Sequence, residues 1–373
     1  MDEHPSGLSL KMNVSIDSEP PFVTSAVDDV MYIVKTVILR SISTSQRAVV
    51  DSVLTSVSNL LASDFIGMIQ RKMRDDCYPK ASIQNAKPPD DKVIAFIVLI
   101  NSLDVANEYL TTIIRSLLTP PEQQQTNGAA AGIPGLHNSF PFKQEAKEVT
   151  AHLNKLHTSF TSLSGELLNE GVRHLFSQVI KPQLRPVLSE TFRDADYTLT
   201  EDEFAEFAAQ QMADTELTEE MLLELAPSRF ERHWNRLMLP IKRIMTERTY
   251  AAALEQTAIQ LARMLEKRVW SYGTSGTSSS SSSSSGNRSA SPWGAIRMER
   301  DFGAIVGTIS RGNYAVRELF ARTTQILMVA NMDDEEWDEM VAMGSGDGDG
   351  EDGMVWVLSE EERRRARTIV RTD

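Results

Sequence analysis

Cysteine is almost absent from this chain. Cys77 stands alone among 373 residues, so no disulfide can close within the chain, and a reducing compartment such as the cytosol is the natural setting. Histidine is sparse as well: there are six, at His4, His137, His152, His157, His174 and His233. No two have the spacing of a helical zinc site, since His152 and His157 lie five apart and fall on different faces of a helix. Positive charge is in deficit, with 38 Lys and Arg against 52 Asp and Glu and a net charge of −14. That balance excludes general nucleic-acid binding, which needs a basic surface, and gives no attraction to anionic lipid. Long hydrophobic runs are missing too. The most apolar stretch, Val93 to Ile100, is far shorter than the ~20 residues needed to cross a bilayer. Met1 to Glu19 is polar and carries Asp2 and Glu3, with no signal-peptide core. The expectation is a soluble protein whose membrane association is peripheral and through partners.

Motifs that carry chemistry are also missing. There is no Gly-rich phosphate loop, no Gly-x-Ser-x-Gly elbow and no local Cys/His pairing. Asp194-Ala-Asp196-Tyr-Thr198 opens like a calcium loop, but Leu199 stands where the turn glycine belongs and Ala205 where the bidentate glutamate belongs. Asp347-Gly-Asp349-Gly-Glu351 fails at the same two places. No catalytic residue, cofactor site or metal site is assigned, and the chain is not expected to be an enzyme.

What is present is helical periodicity, and the fold class expected is all-α. Val30, Ile33, Val34, Val37 and Ile38 form one stripe, behind the acidic start Asp28-Asp29. A second helix is expected from Gln46 to Met73 and a third from Asp90 to Leu118, stopped by Pro120-Pro121. Another runs from Phe142 past His174, with a bend at Pro182 or Pro186. Thr200-Glu-Asp-Glu203 and Ser359-Glu-Glu-Glu362 read as capping boxes. Ser228-Arg-Phe-Glu231 reads as the start of a helix that reaches Trp270, kinked at Pro240. No strand alternation of useful length and no fixed repeat is visible.

The length suggests two or three domains, and the composition marks the boundaries. Residues 1–21 are expected to be disordered and 22–270 to form a large helical bundle, with a flexible Pro/Gln/Gly-rich loop at 119–140. A disordered linker at 271–292 contains the serine run Ser278 to Ser285. Residues 293–373 then form a small C-terminal bundle with a flexible acidic loop at 344–353. The basic run Arg363 to Arg367 follows Glu360 to Glu362, and charge pairing along one helix accounts for it better than a targeting patch.

One residue asks for a partner. Arg322 sits at the edge of the apolar stripe Val316, Leu319, Phe320, Thr323, Ile326, Leu327 and Ala330, and a charge buried there without a counter-charge would be costly. Glu318 lies one turn earlier in the helix-favoured order. Glu362 lies forty residues on, where it also suits the third position of the Ser359 capping box. The residues alone favour both local roles.

Several motifs taken together bear a resemblance. They are Val27-Asp-Asp-Val-Met-Tyr-Ile-Val-Lys35 with Arg40-Ser-Ile-Ser-Thr44, Leu61-Ala-Ser-Asp-Phe65, Ile180-Lys-Pro-Gln-Leu-Arg-Pro-Val187, Phe320-Ala-Arg-Thr-Thr-Gln325 with Ile326-Leu-Met-Val-Ala-Asn331, and Trp356-Val-Leu-Ser-Glu-Glu-Glu-Arg-Arg364. In that order they resemble the C-terminal part of subunit 4 of the conserved oligomeric Golgi complex, over nearly the whole chain from about residue 25. The resemblance implies stacked helical bundles forming a rod, and a non-enzymatic subunit of a vesicle-tethering complex in intra-Golgi retrograde transport. It implies sister subunits, SNARE proteins and Rab-type small GTPases as partners. The implied location is the cytoplasmic face of the Golgi membrane, held peripherally, and the cytosol. It also implies a structural ion pair between Arg322 and Glu362. A helical scaffold or adaptor outside the Golgi is the alternative. The chain departs from the family in lacking its long N-terminal region, in its longer connections and in its more charged last helix.

Overall fold

The computed structural model describes residues 22–79, 90–119, 136–214, 218–273, 289–343 and 355–370. The expected N-terminal tail, the acidic loop, and most of the expected loop and serine linker lie outside these residues. Among the described residues every extended element is helical, apart from one isolated parallel bridge between Ala290 and Val370. At the edges of the expected loops the chain is ordered. A short helix, α5, spans Leu136–Ser139, and Ser291 caps the helix that follows the linker.

Two compact units divide the chain, Met1–Val179 with Pro240–Ala253, and Ile180–Leu239 with Leu254–Asp373. This differs from the expected division at 271–292. The physical reason is that residues 180–239 pack with the chain beyond 254. Tyr197 donates to Asp301 at 2.9 Å, the Ser291 amide donates to the Tyr197 carbonyl at 3.0 Å, and Arg311 pairs with Glu231 at 2.6 Å. Composition marks where small polar residues run together, not which stretches on either side of them pack together.

The first unit is built on α1 (Ser25–Ser43), α2 (Arg47–Asn59), α3 (Gly67–Asp75), α4 (Asp90–Leu118) and α6 (Lys143–Leu175). Helix α4 packs on α6 and α1, and α2 packs on α1 and α6. A π-helical stretch, Leu60–Ile66, joins α2 to α3 and buries Leu61, Phe65 and Ile66. By length and apolar content the segments Arg47–Asp75 and Asp90–Leu118 could each cross a membrane. In α4 72% of the apolar window is buried inside the protein, so its apolarity serves the core.

The polar residues of α4 do a different job. Asn101 is fully buried. Its Nδ2 donates to the carbonyls of Phe22 at 3.1 Å and Ile244 at 2.7 Å, and its Oδ1 accepts from the Thr246 amide at 3.1 Å and the Thr249 hydroxyl at 3.3 Å. Ser102 Oγ accepts from the Thr24 amide at 3.1 Å, and Asp104 accepts from the Thr246 hydroxyl at 2.7 Å. One buried side chain thus satisfies a helix C-terminus and the entry to the next helix.

The expected single helix from Ser228 to Trp270 is two helices, α10 (Leu225–Ile244) and α11 (Glu247–Val269). The break falls at Thr246, whose hydroxyl accepts from the Thr249 amide at 3.3 Å as an N-cap. Pro240 stays inside α10. The start also moves, because the Ser228 amide already donates to the Glu224 carbonyl at 3.0 Å, so Ser228 is no cap.

The second unit contains α7 (Lys181–Thr191), α8 (Glu201–Asp214), α9 (Glu219–Leu223), α12 (Pro292–Ile309), α13 (Ala321–Asn331), α14 (Asp334–Met343) and α15 (Glu360–Arg367), besides its parts of α10 and α11. Both capping boxes form. Thr200 and Glu203 exchange hydrogen bonds at the start of α8, as do Ser359 and Glu362 at the start of α15. The apolar stripe from Val316 to Ala330 falls on two elements, a 3₁₀ stretch Tyr314–Phe320 followed by α13. Gly294 admits a close approach: a Cβ there would collide with the Tyr197 carbonyl.

Replacing Asn101 by Ala removes the side-chain partner of the half-buried Phe22 and Ile244 carbonyls and of the Thr246 amide. The expected loss is about 2–4 kcal/mol of stability, from more than one unpaired group. Chemical denaturation of the variant measures it, and a loss under ~1 kcal/mol would mean that those carbonyls reach solvent.

Candidate functional site

Arg322 lies in the first turn of α13, where the positive end of the helix dipole disfavours a cation. Two carboxylates compensate. Arg322 Nη2 donates to Glu266 Oε1 at 2.9 Å and to Glu362 Oε1 at 2.6 Å, and Nε donates to Glu266 Oε1 at 3.1 Å. Nη1 reaches Glu362 Oε2 and the Val357 carbonyl, each at 3.5 Å. Glu266 belongs to α11 and Glu362 to α15, so one guanidinium joins three helices. Glu318 lies in the 3₁₀ stretch and is exposed. A three-residue period takes positions four apart off a common face.

The two roles read for Glu362 coexist. Its Oε2 accepts from the Ser359 amide at 2.9 Å to cap α15, while Oε1 takes the arginine. The Arg322 and backbone hydrogen bonds pull its carboxyl down to about 2, and Arg322 is held above its usual range by the same two carboxylates. The group is not deeply buried: the Arg322 side chain is 36% exposed and that of Glu362 35%. The cost of stranding a fully buried charge therefore does not apply here.

Around this center lie contacts that the sequence reading missed. Glu266 also accepts from Trp270 Nε1 at 3.3 Å, and the Arg365 guanidinium sits 4.6 Å over the Trp270 ring. Gln325, one turn after Arg322, is 8% exposed. It donates to the Val355 carbonyl at 2.8 Å and accepts from the amides of Val357 at 2.8 Å and Leu358 at 3.3 Å. Helix α13 thus grips both the extended segment before α15 and α15 itself. The available signal was a second long polar side chain in the same apolar stripe.

The basic run of α15 is only partly explained by pairing along the helix. Arg364 does pair with Glu360 at 2.5 Å. The others reach elsewhere: Arg363 lies 4.9 Å over Trp356, and Arg367 bonds the Met332 carbonyl and Asp334.

A second polar cluster anchors the same unit. Tyr197 is fully buried and Asp301 is 2% exposed. Arg297 lies 4.9 Å from the ring centers of Tyr197 and Phe204 and 5.1 Å from that of Trp293, and donates to the Asp196 carbonyl. Burial pushes the Asp301 carboxyl up and the Arg297 guanidinium down. The histidines work singly: His152 meets Asp51 at 2.5 Å, His157 meets Thr111 at 2.9 Å, and His174 meets the Pro79 carbonyl at 3.2 Å. Among the described residues no three His, Cys, Asp or Glu side chains gather as metal ligands.

Comparison with known proteins adds a family. A family model described as "Conserved oligomeric Golgi complex subunit 4, C-terminal" matches residues 96–365, and one described as "COG4 transport protein, middle alpha-helical bundle" matches residues 1–73. Conserved oligomeric Golgi complex subunit 4 of Arabidopsis thaliana is 25% identical over 361 residues, 96% of this chain and 42% of that protein. The protein of the same name from Saccharomyces cerevisiae is 20% identical over 290 residues, covering 75% of this chain and 30% of its own length. The human one is 25% identical over 236 residues, covering 56% and 28%. The chain thus spans less than half the length of these relatives. Among solved structures, the C-terminal domain of the exocyst subunit Sec6p matches with a TM-score of 0.46 and 12% identity, covering 94% of this chain and 82% of that one.

Two outcomes follow from the geometry around Arg322. Arg322→Ala is expected to destabilise the protein by about 1–2 kcal/mol, above a lone surface pair because three helices share the group, and below a buried one. Denaturant melts of the variant decide this, and no change would mean that the contacts are loose in solution. Glu362 has its folded-state pKa lowered, so its contribution is present above about 4.5 and lost as pH falls toward about 2. Solvent screening at this half-open site trims it to about 1 kcal/mol. The stability gap between wild type and Glu362→Gln should therefore close over that acidic window; a gap independent of pH would rule out the charged pair.

Proposed function

The chain belongs to the family of conserved oligomeric Golgi complex subunit 4, and from that membership we propose that it acts as a non-enzymatic tethering subunit in intra-Golgi retrograde vesicle transport. The observation that carries this reading is that the two family models, middle bundle and C-terminal region, together cover residues 1–73 and 96–365 in order. On this reading the polypeptide works peripherally at the cytoplasmic face of the Golgi membrane. Its helical bundles stack into a rod and present surface to other proteins. Sister subunits are the primary partners; SNARE proteins and Rab-type GTPases are the further ones.

The all-helical build supports such a role. Long helices give extended area. In the proposed rod the contacts of Arg322 and Gln325 act as a structural clasp that keeps α15 and the segment before it on α13. Losing the clasp would free a terminal helix and so alter the surface offered to partners.

Affinity purification of the tagged full-length gene product from its own cells tests the assignment. Recovery of the other subunits of the Golgi complex is expected. If the protein is recovered without them, a scaffold or adaptor outside the Golgi is the better account. Arg322→Ala in the same setting should lower recovery of partners at elevated temperature more than at low temperature, because it acts through stability.

A further inference from the structure

Helix α1 is apolar on two sides. Val27, Met31, Val34 and Ile38 are buried in the first unit. Tyr32, Ile33 and Val37 are 72%, 55% and 38% exposed. The stripe expected to face one way, Val30, Ile33, Val34, Val37 and Ile38, is therefore split, with Val34 and Ile38 inside and Ile33 and Val37 outside. At about 100° per residue the outward positions are Asp29, Tyr32, Ile33, Thr36, Val37 and Arg40. Apolar residues gathered on one exposed face mark a surface that something covers.

These six residues form a pattern that is its own complement. An acid stands at one end and a base at the other, about 16 Å apart along the axis. Both are exposed, and neither side chain has an ion pair among the described residues. The Thr36 hydroxyl donates to the Tyr32 carbonyl of its own helix at 2.8 Å, which leaves its methyl group for packing. A second α1 can be laid antiparallel on the first, with a two-fold axis midway between Val34 and Lys35. Asp29 of one copy then meets Arg40 of the other, Tyr32 meets Val37, and Ile33 meets Thr36. Symmetry repeats each pairing on the far side of the axis. A parallel arrangement would instead set acid beside acid and base beside base. A slip of one turn would lose both ion pairs.

We infer that this face joins two copies of the chain, α1 against α1, antiparallel and in that register. The apolar contacts supply the affinity, and the charges fix direction and register. One helix pair buries less than the ~1,200 Å² at the low end of stable interfaces. The dimer is accordingly weak, with a Kd of about 10–100 μM. The charge of −14 on each copy opposes it, but at ~0.15 M salt that repulsion is screened within about 8 Å. The inference concerns the first unit and does not rest on the Golgi assignment.

Sedimentation velocity on the 373-residue chain, from about 1 to 200 μM in ~0.15 M salt, tests it. The sedimentation coefficient should rise from monomer to dimer across that range. Ile33→Asp places a charge in the apolar center and should weaken association about tenfold or more. The position is exposed, so circular dichroism should show the fold intact. Arg40→Asp turns two attractions into two repulsions, and so does Asp29→Arg; each alone should weaken the dimer about tenfold. An equimolar mixture of those two variants restores opposite charges at both places and should dimerise about as tightly as the wild type. That recovery belongs to this register and would not arise from a folding defect. A monomer at every concentration, as expected if another stretch of chain or a different protein covers α1, would overturn the inference. So would a dimer that Ile33→Asp leaves intact, or a mixture no tighter than its components.

Discussion

A helix that ends inside a packed protein leaves amides and carbonyls that must find partners, and the architecture of this chain depends on how they are found. In the first unit a single side chain meets that need. Asn101 offers two donors and an acceptor at the corner where α10 ends and α11 begins, and reaches back to the entry of α1. The apolar faces of α1, α2, α4 and α6 then close around a corner whose geometry is already set.

The second unit meets the same constraint with charge. Glu362 caps its own helix and holds Arg322 with its second oxygen, so the start of α15 and its attachment to α13 share one carboxylate. Gln325 does for the extended segment what Glu362 does for the helix. The Arg322–Glu362 pair is half-open while Gln325 is buried, and each holds through several partners meeting at one place. Aromatic rings lie under Arg363 and Arg365 of α15, and Arg367 pairs with Asp334.

Much of this was legible beforehand, in proportion to how local it is. The all-helical class, the span of α4 and the two capping boxes follow from periodicity and from residues three apart. The break at Thr246 did not, because a Thr followed by Glu looks the same in mid-helix as at a cap until Asn101 arrives from 145 positions away. The basic run was read as pairing along α15, and only Arg364 does so, since the rings under its neighbours come from Trp270 and Trp356. Glu266 was never considered for Arg322, because nothing marks one glutamate of α11 over another.

The amino-acid sequence by itself determined the helical class, the capping boxes and, through ordered motifs, the family, because those properties reside in residues near one another or in their succession. Only the tertiary structure decided where the two units divide, which carboxylates share Arg322, and that Asn101 joins the ends of three helices. Each of these depends on side chains brought together from distant parts of the chain. A pattern of three- and four-residue spacings carries no record of such meetings.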